Sequence, residues 1–319
     1  MDIDVFPTPE LPTVFRVLRT ALRAEGPLDT RERLFLDTYA RIVGLPPLAQ
    51  DPAPIAAPAV AIAGAHPRKR LLQLAALAVL LGRPVRRESL EFLTALAGQL
   101  AVHDPVLGLI DAVVRGRLLK ARLLAMRRGM RVLLKEAWLA QGAMGVVRLF
   151  AALWFKAPVN RGKLWRYRRL GLLPEGTLGR EYWKFMTCEG FPFPGDVAGI
   201  PDTVAYHDVA HVLAGHEATP PGEIQQGSFQ AGNRREDGFF FLQMVILQFH
   251  QGVRVTPATG PQTDLFDPEK VLWAIHRGAR CRVDMTHQWN YWPLMELPLD
   301  EARRRCGLLP RLDTIAAAA

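Results

Sequence analysis

Residues 71–81 read LLQLAALAVLL, ten apolar side chains in eleven positions, and Gly82 and Pro84 follow at once. Leucine and alanine are strong helix formers, and Val79 is the single β-branched residue of the run. A helix that is apolar on every side cannot face water, so the run predicts a buried helix around which other elements must pack. Outward from it the pattern stays helical. Leu90, Leu93, Leu96 and Leu100 recur at helical spacing and predict the next helix. Residues 1–45 predict two short helices broken at Gly26-Pro27. The second starts near Asp29-Thr30 and carries Leu34, Phe35, Thr38 and Ile42 on one face. Residues 45–67, LPPLAQDPAPIAAPAVAIAGAHP, hold too many prolines for one continuous helix. No strand-type alternation of any length interrupts this half, and the fold class expected is all-α.

The chain has 319 residues, 49% of them apolar and 22% charged, which suffices for a sizeable core in one large domain or two. Disorder, collagen-like repeats and a disulfide scaffold are excluded. Cys188, Cys281 and Cys306 are odd in number and widely spaced, which reads as a reducing compartment with each cysteine a small buried hydrophobe. The opening MDIDVFPTPE has no basic region followed by an apolar run, so a cytoplasmic protein is expected. The expected division is a helical N-terminal region over 1–160 and a mainly helical domain over 161–319. The succession of short helices in the first region is similar in layout to the tellurite-resistance TerB-like bundle.

Net charge is +9, and it is concentrated: from Arg115 to Arg169 there are fifteen Lys/Arg and one acid, Glu136. An anionic surface is implied, either phospholipid or nucleic acid. Arg115 to Lys135 reads as an amphipathic helix. Leu119, Leu123, Met126, Met130 and Leu133 form one stripe, and Arg117, Lys120, Arg127, Arg128, Arg131 and Lys135 crowd the other side. One reading is a surface helix of a bundle with its apolar stripe turned inward. The other is a helix lying on anionic lipid, where each basic residue contributes about 1 kcal/mol. The segment 137–155, AWLAQGAMGVVRLFAALWF, is apolar enough to raise the question of a membrane span. A central arginine costs about 2.5–3.5 kcal/mol there, so a buried or membrane-dipping helix is expected instead. Nucleic acid is the weaker partner, because the basic segment has no helix-turn-helix, zinc-finger or RNP-type signature.

The segment 201–223, PDTVAYHDVAHVLAGHEATPPGE, carries the chemistry. Pro201-Asp202-Thr203 is a helix-start signal, and Gly215 with Pro220-Pro221 ends the helix. His207 and His211 lie one turn apart on one face, and Asp208 falls in the same sector of about 100°. Pro221-Gly222-Glu223 reads as the first turn of a following helix that could return antiparallel to the first. Two imidazoles and two carboxylates suit a divalent ion, with zinc, iron, copper or nickel favoured over calcium and magnesium.

His207-Asp208-x-x-His211 followed by Glu223 resembles the HDxxH-x11-E signature of the Coq-four family of coenzyme Q (ubiquinone) biosynthesis proteins. Upstream, LPEGTLGREY over residues 173–182 is similar to that family's LPEGSLGREY stretch. Downstream, Val271-Leu272-Trp273-Ala274 with Arg277-Gly278, then Pro298-Leu299-Asp300-Glu301, is similar to its C-terminal helix and PLDELR-type ending. The resemblance covers residues 165–308. It implies a mostly helical fold and a metal held by His207, Asp208, His211 and Glu223, zinc first with iron or manganese as alternatives. Asp208 and Glu223 are then the candidate catalytic carboxylates. It further implies oxidative decarboxylation at C1 of a polyprenylated hydroxybenzoate, an apolar pocket for the prenyl tail, and a peripheral position on the inner face of a membrane. Other quinone-biosynthesis enzymes are the implied partners, and a homo-oligomer is compatible with it. Two elements depart from the family. Its tryptophan-rich segment is replaced by QQGSFQAGNRREDG over 225–238, and the late Trp-Glu element reads Asn290-Tyr291-Trp292-Pro293.

The alternatives are a metal- and lipid-binding scaffold for quinone-biosynthesis enzymes and a metal-dependent hydrolase. A peptidase would need HExxH, and Asp208 holds the Glu position. Arg234 and Arg235 read as solvated loop residues that could also meet a substrate carboxylate. His216 and His250 read as helix C-terminal histidines. Residues 239–247 read as core or as a wall for a prenyl tail. Glu181 and Tyr182 read as braces of the HD helix.

Overall fold

The computed structural model describes residues 1–319 except 24–25, 156–159, 198, 200–204, 256–258, 288 and 312–319. For residues 132–133, 136–137, 140–141 and 147–155 it describes the helix without the side chains. The α-helices are α1 (Leu11–Leu22), α2 (Thr30–Ile42), α3 (Ala65–Leu81), α4 (Arg87–Leu100), α5 (Val106–Val114), α6 (Leu118–Phe155), α7 (Arg161–Arg168), α8 (Leu178–Cys188), α9 (Tyr206–Ala214), α10 (Pro220–Asn233), α11 (Gly238–Phe249), α12 (Pro268–Arg280) and α13 (Leu299–Cys306). Among the described residues there is no β-strand, only two isolated bridges, and the fold is all-α.

The chain forms two compact units that do not follow chain order. One comprises Met1–Met126 with Glu223–Ala279, the other Arg127–Gly222 with Arg280–Ala319.

In the first unit α3 is the central element. Every residue from Leu71 to Leu81 is buried, as a run apolar on all sides requires. The helix packs against α1, α2, α4, α5 and α11. The one polar residue of the 71–81 run, Gln73, donates to Asp104 at 2.8 Å and accepts from Arg70 at 2.9 Å, so its buried amide is not left without partners. Asp29 caps α2 in a capping box with Glu32. Phe35 and Thr38 are buried as expected, but Leu36 and Tyr39 complete the buried face while Leu34 and Ile42 sit half-buried. In α4 all four stripe leucines are buried.

The end of α3 is closed from far along the chain. His250 Nε2 donates to the Leu81 carbonyl at 3.0 Å, and its Nδ1 accepts from the Phe266 amide at 3.1 Å. Gln251 Nε2 donates to the carbonyls of Leu80 and Gly82. His250 is fully buried and held as the neutral Nε2–H ring. Burial pushes its pKa down to about 4. It is therefore a neutral hydrogen-bonding link rather than a charged histidine at a helix end.

Helices α10 and α12 cross with backbones in contact, which only glycine allows. A Cβ on Gly278 would lie 2.0 Å from the Phe229 carbonyl oxygen, and one on Gly232 would lie 2.0 Å from that of Ile275. The run Phe239–Leu247 lies mainly in the core of this unit, with Phe239, Phe240, Leu242, Ile246 and Leu247 buried.

Helix α6 departs from the expectation of two segments, being continuous over 38 residues. Ala121 and Ala125 are buried and Leu124 packs half-buried on the core, while Leu119, Leu123 and Met126 are exposed. The small alanines allow close approach, so the apolar stripe is not turned inward as a bundle helix would place it. In the stretch 137–155, Trp138, Leu139 and Met144 are exposed rather than buried, and Gln141 and Arg148 lie outside the described side chains. Among the described residues no helix is long and apolar enough to cross a membrane.

In the second unit the LPEGTLG stretch is sewn to the late Pro298-Leu299 segment. Leu178 N donates to Leu297 O at 2.9 Å, Gly179 N to Met295 O at 2.8 Å, and Leu299 N to Gly176 O at 2.8 Å. Gly179 permits this contact, since a Cβ there would lie 2.9 Å from the Met295 carbonyl oxygen. Tyr182, fully buried, packs on Tyr167 and Phe193. Of the cysteines, Cys281 and Cys306 are buried as expected, whereas Cys188 is exposed at the end of α8.

Two consequences can be measured. Gly278→Ala is expected to lower stability by about 2 kcal/mol or more through overpacking. Gly98→Ala, where no atom lies within 4 Å, should be neutral or gain about 0.5–1 kcal/mol; urea midpoints of the two variants check this. His250, neutral in the fold and titrating near 6.5 when unfolded, contributes stability that is complete above pH 6.5 and lost as pH falls toward 4. The loss is at most about 3 kcal/mol. Melting temperatures from pH 7 to 4 should fall more steeply in the parent than in His250→Gln, and parallel curves would contradict the assignment.

Candidate metal centre

Helix α9 carries His207 and His211 one turn apart; its expected start signal at 201–203 lies outside the described residues. The helix ends where expected, with Gly215 in the left-handed region at φ 72° and its amide returned to the His211 carbonyl at 2.8 Å. The next helix, α10, begins at Pro220, and Glu223 lies in its first turn as the sequence predicts. The turn between them is tight: a Cβ on Gly222 would lie 2.1 Å from the Glu217 carbonyl oxygen. Gly222 is therefore required for α10 to start where it does, one residue before Glu223.

His207, His211 and Glu223 each offer one ligand atom, and the three atoms lie within 4.8 Å of one another. The two imidazole Nε2 atoms are 3.2 Å apart, with the rings edge to face at a 77° interplanar angle. The tautomer of His211 follows from its other nitrogen. Nδ1 lies 3.2 Å from the His216 carbonyl, which can only accept, so Nδ1 carries the proton and the neutral ring has a lone pair on Nε2. A carbonyl on the far nitrogen is the usual orienting partner of a metal-binding histidine. Two nitrogens each about 2.0–2.1 Å from a tetrahedral ion would be about 3.3 Å apart. The observed spacing fits. The cluster can hold a metal ion.

The face of His211 is covered by Phe185 of α8, stacked at 5.5 Å between ring centroids, and His211 itself is buried. An apolar cover over one ligand keeps water from that side and strengthens the electrostatic interactions of a bound cation. Asp208 is half-buried on the first turn of α9 and is not one of the three clustered residues.

The far end of α9 is clamped by arginines near the end of the chain. Arg303 Nε of α13 donates to the Leu213 carbonyl at 2.9 Å, and Arg311 donates to that of Gly215 at 2.8 Å. Cations at a helix C-terminus satisfy the last carbonyls and complement the dipole. Glu181 accepts from the Gly176 amide at 3.1 Å and pairs with Lys184, holding the turn before α8, and α8 in turn packs on α9.

His216 and Arg234 take places other than those expected, and Arg235 is exposed as expected. His216 is buried, and its backbone carbonyl rather than its ring serves the site by orienting His211. Arg234 is not a solvated loop residue: it is buried, donates to the Glu236 carbonyl at 2.8 Å and lies against the Phe241 ring. Phe185, Arg303 and Arg311 were not legible as site residues, because each acts through a contact distant in sequence and belongs to no local motif.

The chain matches no family model and no curated protein sequence.

The clamp on α9 makes a stability prediction. Arg303→Ala strands the Leu213 carbonyl and should cost about 1–3 kcal/mol. Arg304→Ala removes a surface pair with Glu301 and should stay within about 0.5 kcal/mol of the parent. Thermal melts of the two variants side by side provide the comparison.

Proposed function

We propose that the protein is a metal-dependent enzyme of quinone biosynthesis, acting on the head group of a polyprenylated hydroxybenzoate. The reaction replaces the ring carboxylate at C1 by a hydroxyl. The C1–carboxylate bond breaks and carbon dioxide leaves, one atom of dioxygen becomes the hydroxyl oxygen, and a two-electron reductant with protons carries the other atom to water. The reading is carried by the facing imidazoles of His207 and His211, 3.2 Å apart with Glu223 beside them, in the register of the HDxxH-x11-E signature. The LPEGTLG and Pro298-Leu299 segments, which carry the rest of the resemblance, are hydrogen-bonded to each other.

His207, His211 and Glu223 would hold the ion, with Asp208 as fourth ligand or as proton carrier. Zinc suits two nitrogens and an oxygen, and iron or manganese are the alternatives. A bound divalent ion would act as a Lewis acid toward the ring carboxylate or phenolate. The chain's own contribution is to fix donors in advance: the His216 carbonyl sets the His211 tautomer, and the α9 and α10 termini set the ligand spacing. The prenyl tail of such a substrate resides in a bilayer, so the place of work is a membrane surface, its inner face for a cytoplasmic protein, among other enzymes of the route.

Elemental analysis of the purified parent beside His211→Ala and the Asp208→Ala/Glu223→Ala double variant tests the centre, with mass spectrometry of co-purified lipid. About one equivalent of metal in the parent, none in the variants and a bound prenylated phenol are expected. A folded, metal-free and lipid-free parent would overturn the reading. Glu223→Gln then separates enzyme from scaffold: an enzyme loses turnover with its fold intact, whereas a scaffold loses capture of partner enzymes instead.

A further inference from the structure

The first turns of α6 present an arrangement that the metal centre does not explain. Leu118, Leu119, Leu123 and Met126 are 52%, 72%, 57% and 51% exposed. At 100° per residue Leu119, Leu123, Met126 and the half-buried Met130 fall within about 60° of arc. Ala121 and Ala125, on the opposite side, are buried, and the half-buried Leu124 beside them packs on the core. A helix that buries its alanines and shows Leu118, Leu119, Leu123 and Met126 to solvent is turned the wrong way round for a structural role alone.

The flanks of the stripe are cationic. Lys120, Arg127 and Arg131 lie at about 70–110° from its centre on one side and Arg122 at about 70° on the other. From Arg115 to Lys135 the chain has eight basic residues and no acid. Arg115 is paired with Asp111, whose charge also reaches Arg117 and Lys120, and among the described residues no ion pair is formed by Arg122, Arg127 or Arg131. An apolar stripe bordered by cations matches a surface that is apolar at depth and anionic at its rim. An anionic bilayer has that profile, with acyl chains below the phosphates. A nucleic acid would engage the cations and leave the leucines in water, and a second copy of this helix would bring like charges together.

We infer that the N-terminal half of α6 is a membrane-docking element, which inserts Leu119, Leu123 and Met126 between anionic lipids while Lys120, Arg122, Arg127 and Arg131 meet the phosphates. The inference stands apart from the metal-centre reading, since none of its residues belongs to the cluster on α9 and α10.

Flotation of the full chain with vesicles is the test. The parent should float with phosphatidylglycerol-containing vesicles, more weakly as salt rises, and stay behind with pure phosphatidylcholine. Lys120→Glu/Arg127→Glu/Arg131→Glu should weaken binding by about a hundred-fold, at roughly five-fold or more per cation. Leu119→Glu/Leu123→Glu should weaken it by at least about ten-fold. Circular dichroism and melting temperature should match the parent in both variants, because the residues changed are solvent-exposed. A parent that does not float, or a leucine variant that floats as the parent does, overturns the inference. So does a parent dimer that the leucine variant converts to monomer, which would make the stripe an interface between copies. Tight duplex DNA binding that the charge variant loses and the leucine variant keeps, without flotation, would assign the surface to nucleic acid.

Discussion

The carbonyls of Leu80, Leu81 and Gly82 end an eleven-residue helical run, 71–81, that has no exposed face, and the side chains of Gln251 and His250 answer them. A buried carbonyl without a donor costs about 1–3 kcal/mol, so a helix as apolar as α3 can be buried to its last turn only if another part of the chain brings donors to it. Residues some 170 positions downstream do so. This requirement, together with the glycine-mediated crossing of α10 and α12, gives physical content to the grouping of 223–279 with 1–126.

The same constraint recurs at α9. Its C-terminal carbonyls are met by Arg303 and Arg311, and its His211 carbonyl takes back the amides of Gly215 and His216. The turn that ends the helix also delivers the His216 carbonyl to His211 Nδ1. Helix termination and ligand orientation are one structural event. A metal-binding histidine placed in the last turn of a helix acquires its orienting partner from the C-cap, with no additional side chain.

Much of this was legible in the sequence because it is local. The buried run 71–81, the Asp29 cap, the α4 leucines and the first turn at Glu223 each follow from spacing within a dozen residues. The spacing of His207 and His211 on one helical face placed them together for the same reason. The expectations that the structure overturns concern surroundings outside the window. Arg234 is buried beside Phe241, His250 is neutral between two backbone groups, and Cys188 is exposed. The α6 stripe has the same pattern whether its leucines face a core or solvent, and periodicity cannot tell the two apart.

The sequence by itself determined the all-helical class, the start of α2, the ends of α3 and α9, the first turn of α10 and the convergence of two imidazoles, since these depend on a 3.6-residue repeat and on local caps. The tertiary structure decided which segments share a core, that His211 carries its proton on Nδ1, and that α6 turns Leu119, Leu123 and Met126 outward. Each of those depends on which distant group occupies the space beside a side chain, and a repeat along the chain holds no information about that.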